Sequence, residues 1–300
     1  MRTFDIVFVP GLRPKPPHAA YRKELLRCIE FGLQQHAPEA AQALRAAPES
    51  FRLYAWTETI YGEHRDIALD RPGIGALLAS PQPDAAQRRA IESVTRRIEQ
   101  AAHRVGDRIP LLGRLFASQR QRIMLSEARD YLRNRRGIAL QVRAGLRQLL
   151  EKAHSGQRNL IVIGHSLGSV IAYDTLWEMS ESSSLQVELF VTIGSPLGTR
   201  FVRRLIKGLG EPPATRYPRN ISRWTNIAAK GELTALYPKF RSLFAPMVEL
   251  GLLESLEDHV DVYNHFFGAN GLNVHSEYGY VIRPEFAAAL ATAMQAGQSS

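Results

Sequence analysis

The sequence predicts an α/β fold, in which a mostly parallel sheet is flanked by helices and interrupted by a helical insertion. Short, strongly apolar runs at 4–9, 160–163 and 187–193 are typical of strands buried on both faces. Apolar residues at helical spacing follow the first two runs, as the crossover connections of parallel strands require. Because 300 residues suffice for one domain of this class, we treat 1–300 as a single domain.

The chain begins with a predicted strand, loop and helix. The strand at 4–9 ends at a proline–glycine pair, and a proline-rich loop at 12–17 follows it. Apolar residues every three or four positions predict a helix over 21–33. A second strand is predicted at 51–56, and the glycines and prolines of 72–83 predict a loop.

A helical insertion at about 84–136 is predicted before the next strand. Asp84 and Gln87 have the spacing of a capping box, which predicts the start of a helix. Apolar stripes predict helices over 91–105 and 118–133, and a further stripe over 138–149 predicts the helix that leads back to the sheet.

The insertion and the helix after it are strongly basic. Residues 84–150 contain fifteen arginines and six acidic residues, an excess equal to the formal net charge of +9. Such a surface is either a solvated helical face or an attractor for anionic lipid, nucleic acid or an acidic substrate. No nucleic-acid-binding motif accompanies it, so no specific nucleic-acid partner is predicted. A weak, salt-sensitive association with an anionic membrane surface would involve Arg88, Arg89, Arg96, Arg97 and Arg104.

The central motif is the pentapeptide G-H-S-L-G at 164–168, which lies between a predicted strand and a predicted helix. This placement is typical of a nucleophile elbow, a strained turn that exposes a serine hydroxyl. Ser166 is therefore the candidate nucleophile, and the backbone N–H of Leu167 would face the oxygen of a tetrahedral intermediate. A second N–H for that oxygen would come from Leu12 or Arg13, in the loop after the first strand.

Ser195 is a rival nucleophile in the sequence. It follows the strand predicted at 187–193 and has a glycine on its N-terminal side. Its successor is Pro196, which has no backbone N–H to donate to an oxyanion. We therefore interpret Ser195 as a structural residue.

A serine nucleophile needs a histidine as base. Of the nine histidines, His259, His265 and His275 follow a plausible acid, and His275 is the one that lies in a loop after a strand. His259, Asp261 and His265 would share one face of the strand predicted at 260–267, a spacing compatible with a metal ion. A polar face on an edge strand explains that pattern without a ligand, so no metal and no cofactor are predicted.

The base also needs a carboxylate that orients it. Glu232 is the best-placed acid, because it comes just after the strand predicted at 224–228. Asp258 and Asp261 are the alternatives. Beyond Glu232, apolar residues at helical spacing predict a helix over 236–251. This helix is either part of the core or the wall of an acyl pocket, and the segment of about 236–257 that contains it is a possible lid.

At this point the chain resembles the α/β-hydrolase superfamily, in particular its bacterial lipase- and esterase-like members. The resemblance implies a mostly parallel sheet flanked by helices, Ser166 as nucleophile and His275 as general base. Pro10 stands where relatives often have histidine, Glu232 stands where aspartate is usual, and no family motif covers 84–136. The segments that carry the resemblance are V-P-G-L at 9–12, G-H-S-L-G at 164–168, V-T-I-G-S-P-L-G at 191–198, W-T-N at 224–226 and H-S-E-Y at 275–278.

The predicted function is that of a serine hydrolase that cleaves a small-molecule or lipid-like carboxylic ester through an acyl-enzyme on Ser166. A thioesterase, an amidase or an acyltransferase would use the same residues. The other classes are a non-catalytic binding protein on a hydrolase scaffold and a basic protein that binds acidic lipid or nucleic acid.

The composition indicates the cellular compartment in which the protein is expected. The single cysteine, Cys28, excludes an internal disulfide framework and a thiolate zinc site. No apolar run approaches the roughly 18 residues of a membrane span. The first residues do not form a signal peptide, so we expect a soluble cytoplasmic protein.

Overall fold

The structure is a computed structural model that describes residues 4–93, 100, 104, 119–154 and 158–295, with the backbone alone at 119–125. Its main sheet has six strands, and all neighbouring strands in it are parallel. This sheet confirms the predicted α/β class. The strands are β1 (Phe4–Val9), β2 (Phe51–Leu53), β3 (Asn159–His165), β4 (Val187–Ile193), β5 (Ile221–Ala229) and β6 (Ser255–Val262), in the spatial order β2–β1–β3–β4–β5–β6.

Helices cover both faces of the sheet, and a small hairpin of β7 (Phe267–Gly268) with β8 (Gly271–Leu272) follows β6. The helices in the described ranges are α1 (His18–His36), α2 (Pro38–Ala46), α3 (Trp56–Tyr61), α4 (Arg71–Ala79), α5 (Ala85–Ile91), α6 (Gln119–Leu132), α7 (Ile138–His154), α8 (Leu167–Ser180), α9 (Arg200–Arg203), α10 (Phe240–Leu243), α11 (Ala245–Glu249), α12 (Glu277–Val281) and α13 (Pro284–Gln295).

Each face of the sheet has its own core. Ile6 and Phe8 of β1 pack with side chains of α1, α2 and α13 on one face, and Val7 and Val9 pack with side chains of α7 and α8 on the other. A strand that is covered on both faces is apolar at nearly every position, which explains the continuous apolar runs of β1 and β3. The predicted bounds of β1 and β4 are confirmed, and the runs at 160–163 and 224–228 lie within β3 and β5.

The second strand is shorter than predicted, and the predicted loop at 72–83 is wrong. β2 ends at Leu53, and most of 72–83 belongs to α4. Pro72 lies in the first turn of α4, where a missing N–H costs no hydrogen bond. Ile74 and Leu77 on this helix are buried. The burial of that face therefore outweighs the poor helix propensity of the glycines and the proline.

The first insertion helix begins as predicted. The Asp84 carboxylate accepts a hydrogen bond from the Gln87 amide at 2.8 Å, and the Gln87 side chain accepts one from the Asp84 amide at 2.9 Å. The helix α5 ends at Ile91, whereas α6 and α7 confirm the helices predicted over 118–133 and 138–149. The rest of the first predicted stripe lies outside the described residues: Val94, Ile98, Ala102 and Val105.

The stripe predicted as one helix over 236–251 forms two short helices, α10 and α11. Phe244 separates them with a φ of −115°, and Pro246 in the first turn of α11 has no N–H with which to continue α10. The rings of Phe240 and Phe244 lie 5.5 and 4.8 Å from that of Trp224, and all three side chains are buried. These aromatic residues thus belong to the core on this face of the sheet.

The last strand lies earlier than the predicted 260–267. β6 bulges near its end, where its register against β5 shifts and Asp261 has a φ of +64°. His265 lies beyond the strand, and its ring donates from Nε2 to the Ser80 carbonyl at 2.8 Å. The prediction that His259, Asp261 and His265 share one face of a strand is therefore wrong.

The strand order reverses between β1 and β3, which is where an open α/β sheet forms a crevice at the carboxyl ends of its strands. The loops after these two strands are in close contact. A Cβ atom on Gly11 would lie 2.7 Å from the Ser166 Cβ, and one on Gly168 would lie 2.1 Å from the Val9 carbonyl oxygen. None of the helices in the described ranges combines the length and apolar character needed to cross a bilayer.

Because the backbone at Val9 blocks a side chain at position 168, we expect Gly168→Ala to lower the free energy of unfolding by about 1–3 kcal/mol. The matched control is Gly75→Ala in α4, where a Cβ meets no atom within 4 Å. That substitution should raise the free energy of unfolding by about 0.5–1 kcal/mol, since alanine is the better helix former. Urea unfolding of both variants checks the pair, and equal effects would contradict the close approach of α8 to β1.

Candidate active site

Ser166 sits on a strained turn between β3 and α8. Its φ is 53° and its ψ is −127°, a conformation that a residue with a side chain rarely adopts. The Ser166 amide donates to the Ile193 carbonyl at 3.0 Å, which ties the turn to the end of β4. A Cβ atom on Gly164 would lie 2.4 Å from the Ser169 Cα, so the turn requires a glycine there. This backbone has the geometry expected of the predicted elbow.

The backbone N–H of Leu167 belongs to the first residue of α8, where helical amides lack an intrahelical acceptor. The loop after β1 lies opposite and is anchored by Trp56, whose indole N–H donates to the Pro10 carbonyl at 2.8 Å. The Arg13 amide donates to the Tyr61 hydroxyl at 3.2 Å. Of the two amides considered for the second oxyanion N–H, Leu12 is therefore the better candidate.

The structure brings His275 and Glu232 together, although 43 residues separate them in the chain. The Nδ1 atom of His275 lies 2.8 Å from a carboxylate oxygen of Glu232. Because that oxygen is an acceptor, the ring donates from Nδ1 and leaves Nε2 to accept a proton. The Glu232 carboxylate is buried and also accepts hydrogen bonds from the Tyr280 hydroxyl at 3.0 Å and the Thr234 amide at 2.9 Å.

The charges of the pair raise the affinity of the imidazole for a proton. Burial alone would lower the pKa of His275, but the Glu232 carboxylate and its hydrogen bond raise that pKa above its usual value. Burial would likewise raise the pKa of Glu232, whereas His275 and the hydrogen bonds from Thr234 and Tyr280 lower it. Glu232 is thus ionised and stabilises an imidazolium at His275.

The imidazole of His275 lies beside the elbow. Its ring centroid is 4.7 Å from that of His165, the residue before Ser166. A Cβ atom on Gly194 would lie 2.9 Å from the His275 Nδ1, so a side chain at position 194 would displace the ring. The glycine at position 194 therefore leaves room for the imidazole next to the turn.

The alternative acids have other roles. Asp258 accepts hydrogen bonds from the backbone amides of Phe240 and Arg241, at 2.9 and 2.7 Å, and so supports the start of α10. It also accepts a hydrogen bond from the Asn226 side chain at 2.9 Å. Asp261 lies in the bulge of β6 and is exposed. Neither aspartate takes the place of Glu232 beside His275.

Ser195, the rival nucleophile, is buried in a hydrogen-bonded turn. Its hydroxyl lies 2.6 Å from the Ser169 hydroxyl and accepts a hydrogen bond from the Leu197 amide at 3.2 Å. Ser195 thus caps the short turn that follows β4.

Sequence reasoning missed several residues around the pair. Tyr280 supports Glu232, and its hydroxyl also accepts a hydrogen bond from the Ala229 amide at 3.0 Å. Lys15 and Glu277 form an ion pair near His165, with the Lys15 Nζ 2.9 Å from one Glu277 oxygen and the His165 Nδ1 3.8 Å from the other. The nearness of Tyr280 and Glu277 to His275 in the chain is a signal that could have identified them. Lys15 lies in a proline-rich loop and carries no such signal.

The helical insertion contacts the candidate site on two sides. The side chains of Gln100 and Arg104 donate to the carbonyls of Glu232 and Leu236, at 3.0 and 3.3 Å. On the other side, Glu127 of α6 lies 3.8 Å from the guanidinium of Arg13, in the loop after β1. These described residues of the insertion therefore lie at the same edge of the sheet as Ser166 and His275.

Several described arginines of the basic region are engaged within the fold. The Arg88 guanidinium lies 4.9 Å from the centre of the Tyr263 ring, and Arg143 pairs with Glu178 at 3.0 Å. Arg89 is exposed. Arg96 and Arg97 lie outside the described residues.

In the described part of the chain, no group of three or more histidine, cysteine, aspartate or glutamate side chains is arranged to hold a metal ion. Comparisons of the sequence with protein-family models, with curated proteins and with solved structures gave no match. The assignment of a function therefore depends on the geometry of the site itself.

His165 should make the folded protein sensitive to mild acid. Burial lowers its pKa from 6.5 to about 3, so the folded state keeps the ring neutral while the unfolded chain binds a proton below pH 6.5. The stability that His165 contributes is present above pH 6.5 and is lost as the pH falls, by up to about 1.4 kcal/mol for each pH unit. We expect chemical unfolding between pH 6.5 and 5 to show a smaller loss in His165→Gln than in the wild type. Parallel curves for the two proteins would contradict the neutral state of His165.

Proposed function

We propose that this protein is a serine hydrolase of the α/β-hydrolase type that cleaves carboxylic esters through an acyl-enzyme on Ser166. The observation that carries the proposal is the 2.8 Å hydrogen bond between His275 and the buried Glu232, beside a serine with a φ of 53°. An imidazole that is oriented by a carboxylate next to a strained serine is the arrangement that activates a hydroxyl nucleophile.

In the proposed reaction, the Ser166 Oγ attacks the ester carbonyl while the His275 Nε2 takes the hydroxyl proton. The Glu232 carboxylate stabilises the imidazolium that forms. The backbone N–H groups of Leu167 and Leu12 would donate to the oxyanion of the tetrahedral intermediate. His275 then gives its proton to the leaving alcohol, and a water molecule, deprotonated by the same ring, releases the acid from Ser166.

Thioesters, amides and acyl transfer remain the alternative reactions, because they use the same nucleophile and base. We place esters above amides because an alkoxide needs less help from a proton donor than an amine does when it leaves, whereas this argument does not separate esters from thioesters. A panel of p-nitrophenyl esters, an acyl thioester and an anilide, each with the same acyl group, would rank the three bond types.

A fluorophosphonate probe tests the nucleophile. We expect the probe to label the wild type and Ser195→Ala, and to leave Ser166→Ala unlabelled, because the hydroxyl of Ser195 is already held by Ser169. Circular dichroism would verify that each variant is folded. Absence of labelling in the folded wild type would favour a non-catalytic binding protein, and loss of labelling in folded Ser195→Ala alone would move the nucleophile to Ser195.

The base and the acid are tested by kinetics on an activated ester. His275→Ala should lower kcat by about 10⁴-fold, since the oxyanion hole and substrate binding alone would remain. Glu232→Gln should lower it by about 10⁴-fold as well, because the imidazole would lose the carboxylate that orients it and stabilises the imidazolium. His259→Ala and Asp261→Asn are matched controls on β6 and should retain near-normal turnover. A folded Glu232→Gln variant with wild-type kcat would reject Glu232 as the acid.

A further inference from the structure

A second buried ion pair lies directly behind the proposed active site. The Lys15 Nζ is 2.9 Å from a carboxylate oxygen of Glu277, and the side chains are only 11% and 8% exposed. The same oxygen accepts a hydrogen bond from the buried Tyr21 hydroxyl at 2.5 Å. Glu277 therefore keeps its charge in a buried setting because two donors compensate it.

The pair joins two segments that carry proposed catalytic groups. Lys15 lies three residues beyond Leu12, in the loop after β1, and Glu277 lies two residues beyond His275. The two residues are 262 positions apart in the chain. The ion pair thus fixes the loop with the proposed oxyanion amide relative to the segment that presents the base.

His165 links the same pair to the nucleophile. Its Nε2 donates to the backbone carbonyl of His275 at 2.9 Å, and its Nδ1 faces the second oxygen of Glu277 at 3.8 Å. Since His165 immediately precedes Ser166, three segments of the proposed site meet at Glu277. A buried ion pair adds little net stability compared with an apolar pair. The main effect of this pair is therefore to fix the relative positions of the three segments.

We propose that Lys15 and Glu277 are positioning residues, a buried clamp that holds the oxyanion loop, the elbow and His275 in register. This inference rests on the proposed hydrolase function. The clamp touches neither the reacting atoms nor Glu232, and it acts by setting the position and the electrostatic surroundings of the base. A misplacement of about 1 Å in such a site costs on the order of 100-fold in rate.

The charges of Lys15 and Glu277 should have opposite effects on the pKa of His275. Burial of the ring and the charge of Lys15 lower the pKa of His275, whereas Glu232 and Glu277 raise it. The other titratable groups near the His275 ring are His165 and Tyr280. His165 is neutral, and burial raises the pKa of the Tyr280 hydroxyl well above its usual value, so that neither carries a charge. Removing the charge of Glu277 should therefore lower the pKa of His275, and removing the charge of Lys15 should raise it.

The experiment compares Glu277→Gln, Lys15→Met and the double variant with the wild type. One readout is the pH profile of kcat and KM for a short-chain ester. The other is the titration of His275 by NMR in histidine-labelled protein, which requires no activity. Asp5→Asn is the matched control, because it weakens a buried ion pair with Arg52 at the opposite end of β1.

We expect kcat to fall about 10- to 100-fold in each single variant with a smaller change in KM, and to be unaffected in Asp5→Asn. The pKa of His275 should move down in Glu277→Gln, up in Lys15→Met, and back toward the wild-type value in the double variant. If Glu277→Gln does not fold, Lys15→Met and the double variant still give the predicted difference in pKa.

Shifts of the same sign in the two single variants, or no shift, would overturn the clamp. A loss of kcat in Asp5→Asn equal to that in Glu277→Gln would also overturn the clamp, because the loss would then follow from general destabilisation of the fold. If the wild type shows no hydrolysis or probe labelling, the proposed function fails, and the NMR titration still decides whether the clamp controls His275.

Discussion

The close approach between the end of β1 and the start of α8 is the constraint on which the rest of the structure depends. It leaves no room for a Cβ at Gly11 or Gly168, and it places the loop after β1 against Ser166. Because β1 and β3, the strand that leads into α8, flank the reversal of strand order, the crevice between them opens at the carboxyl ends of the sheet. The strained turn is held there by packing rather than by its own conformational preference.

The candidate site is built from buried charges that compensate one another. Glu232 and Glu277 are both inside the protein, and each accepts hydrogen bonds from a tyrosine hydroxyl. Their partners differ, since Glu232 faces the imidazole of His275 and Glu277 faces the ammonium of Lys15. Glu232 contacts His275 directly, whereas Glu277 acts on it without contact, and both carboxylates raise the pKa of the imidazole.

The parts of the fold that could be predicted from the sequence are those governed by local pattern. Strands covered on both faces, such as β1 and β4, must be continuously apolar, and the capping box of α5 is a four-residue motif. The helix α4 was not predictable in this way, because the burial of Ile74 and Leu77 overrides its glycines and proline. Glu232 could be chosen from its place after a strand, whereas Lys15 could not, because its partner is 262 residues away.

The long separation between Lys15 and Glu277 has a consequence for synthesis of the chain. A ribosome produces the elbow and β3 well before residues 275–281 leave the exit tunnel, so the nascent polypeptide holds Ser166 without His275, its proposed base. Until then, Lys15 and His165 also lack the partners that compensate their burial in the finished fold. Under the proposed function, a growing chain would gain activity abruptly, when the segment around His275 docks, and not gradually as the sheet assembles.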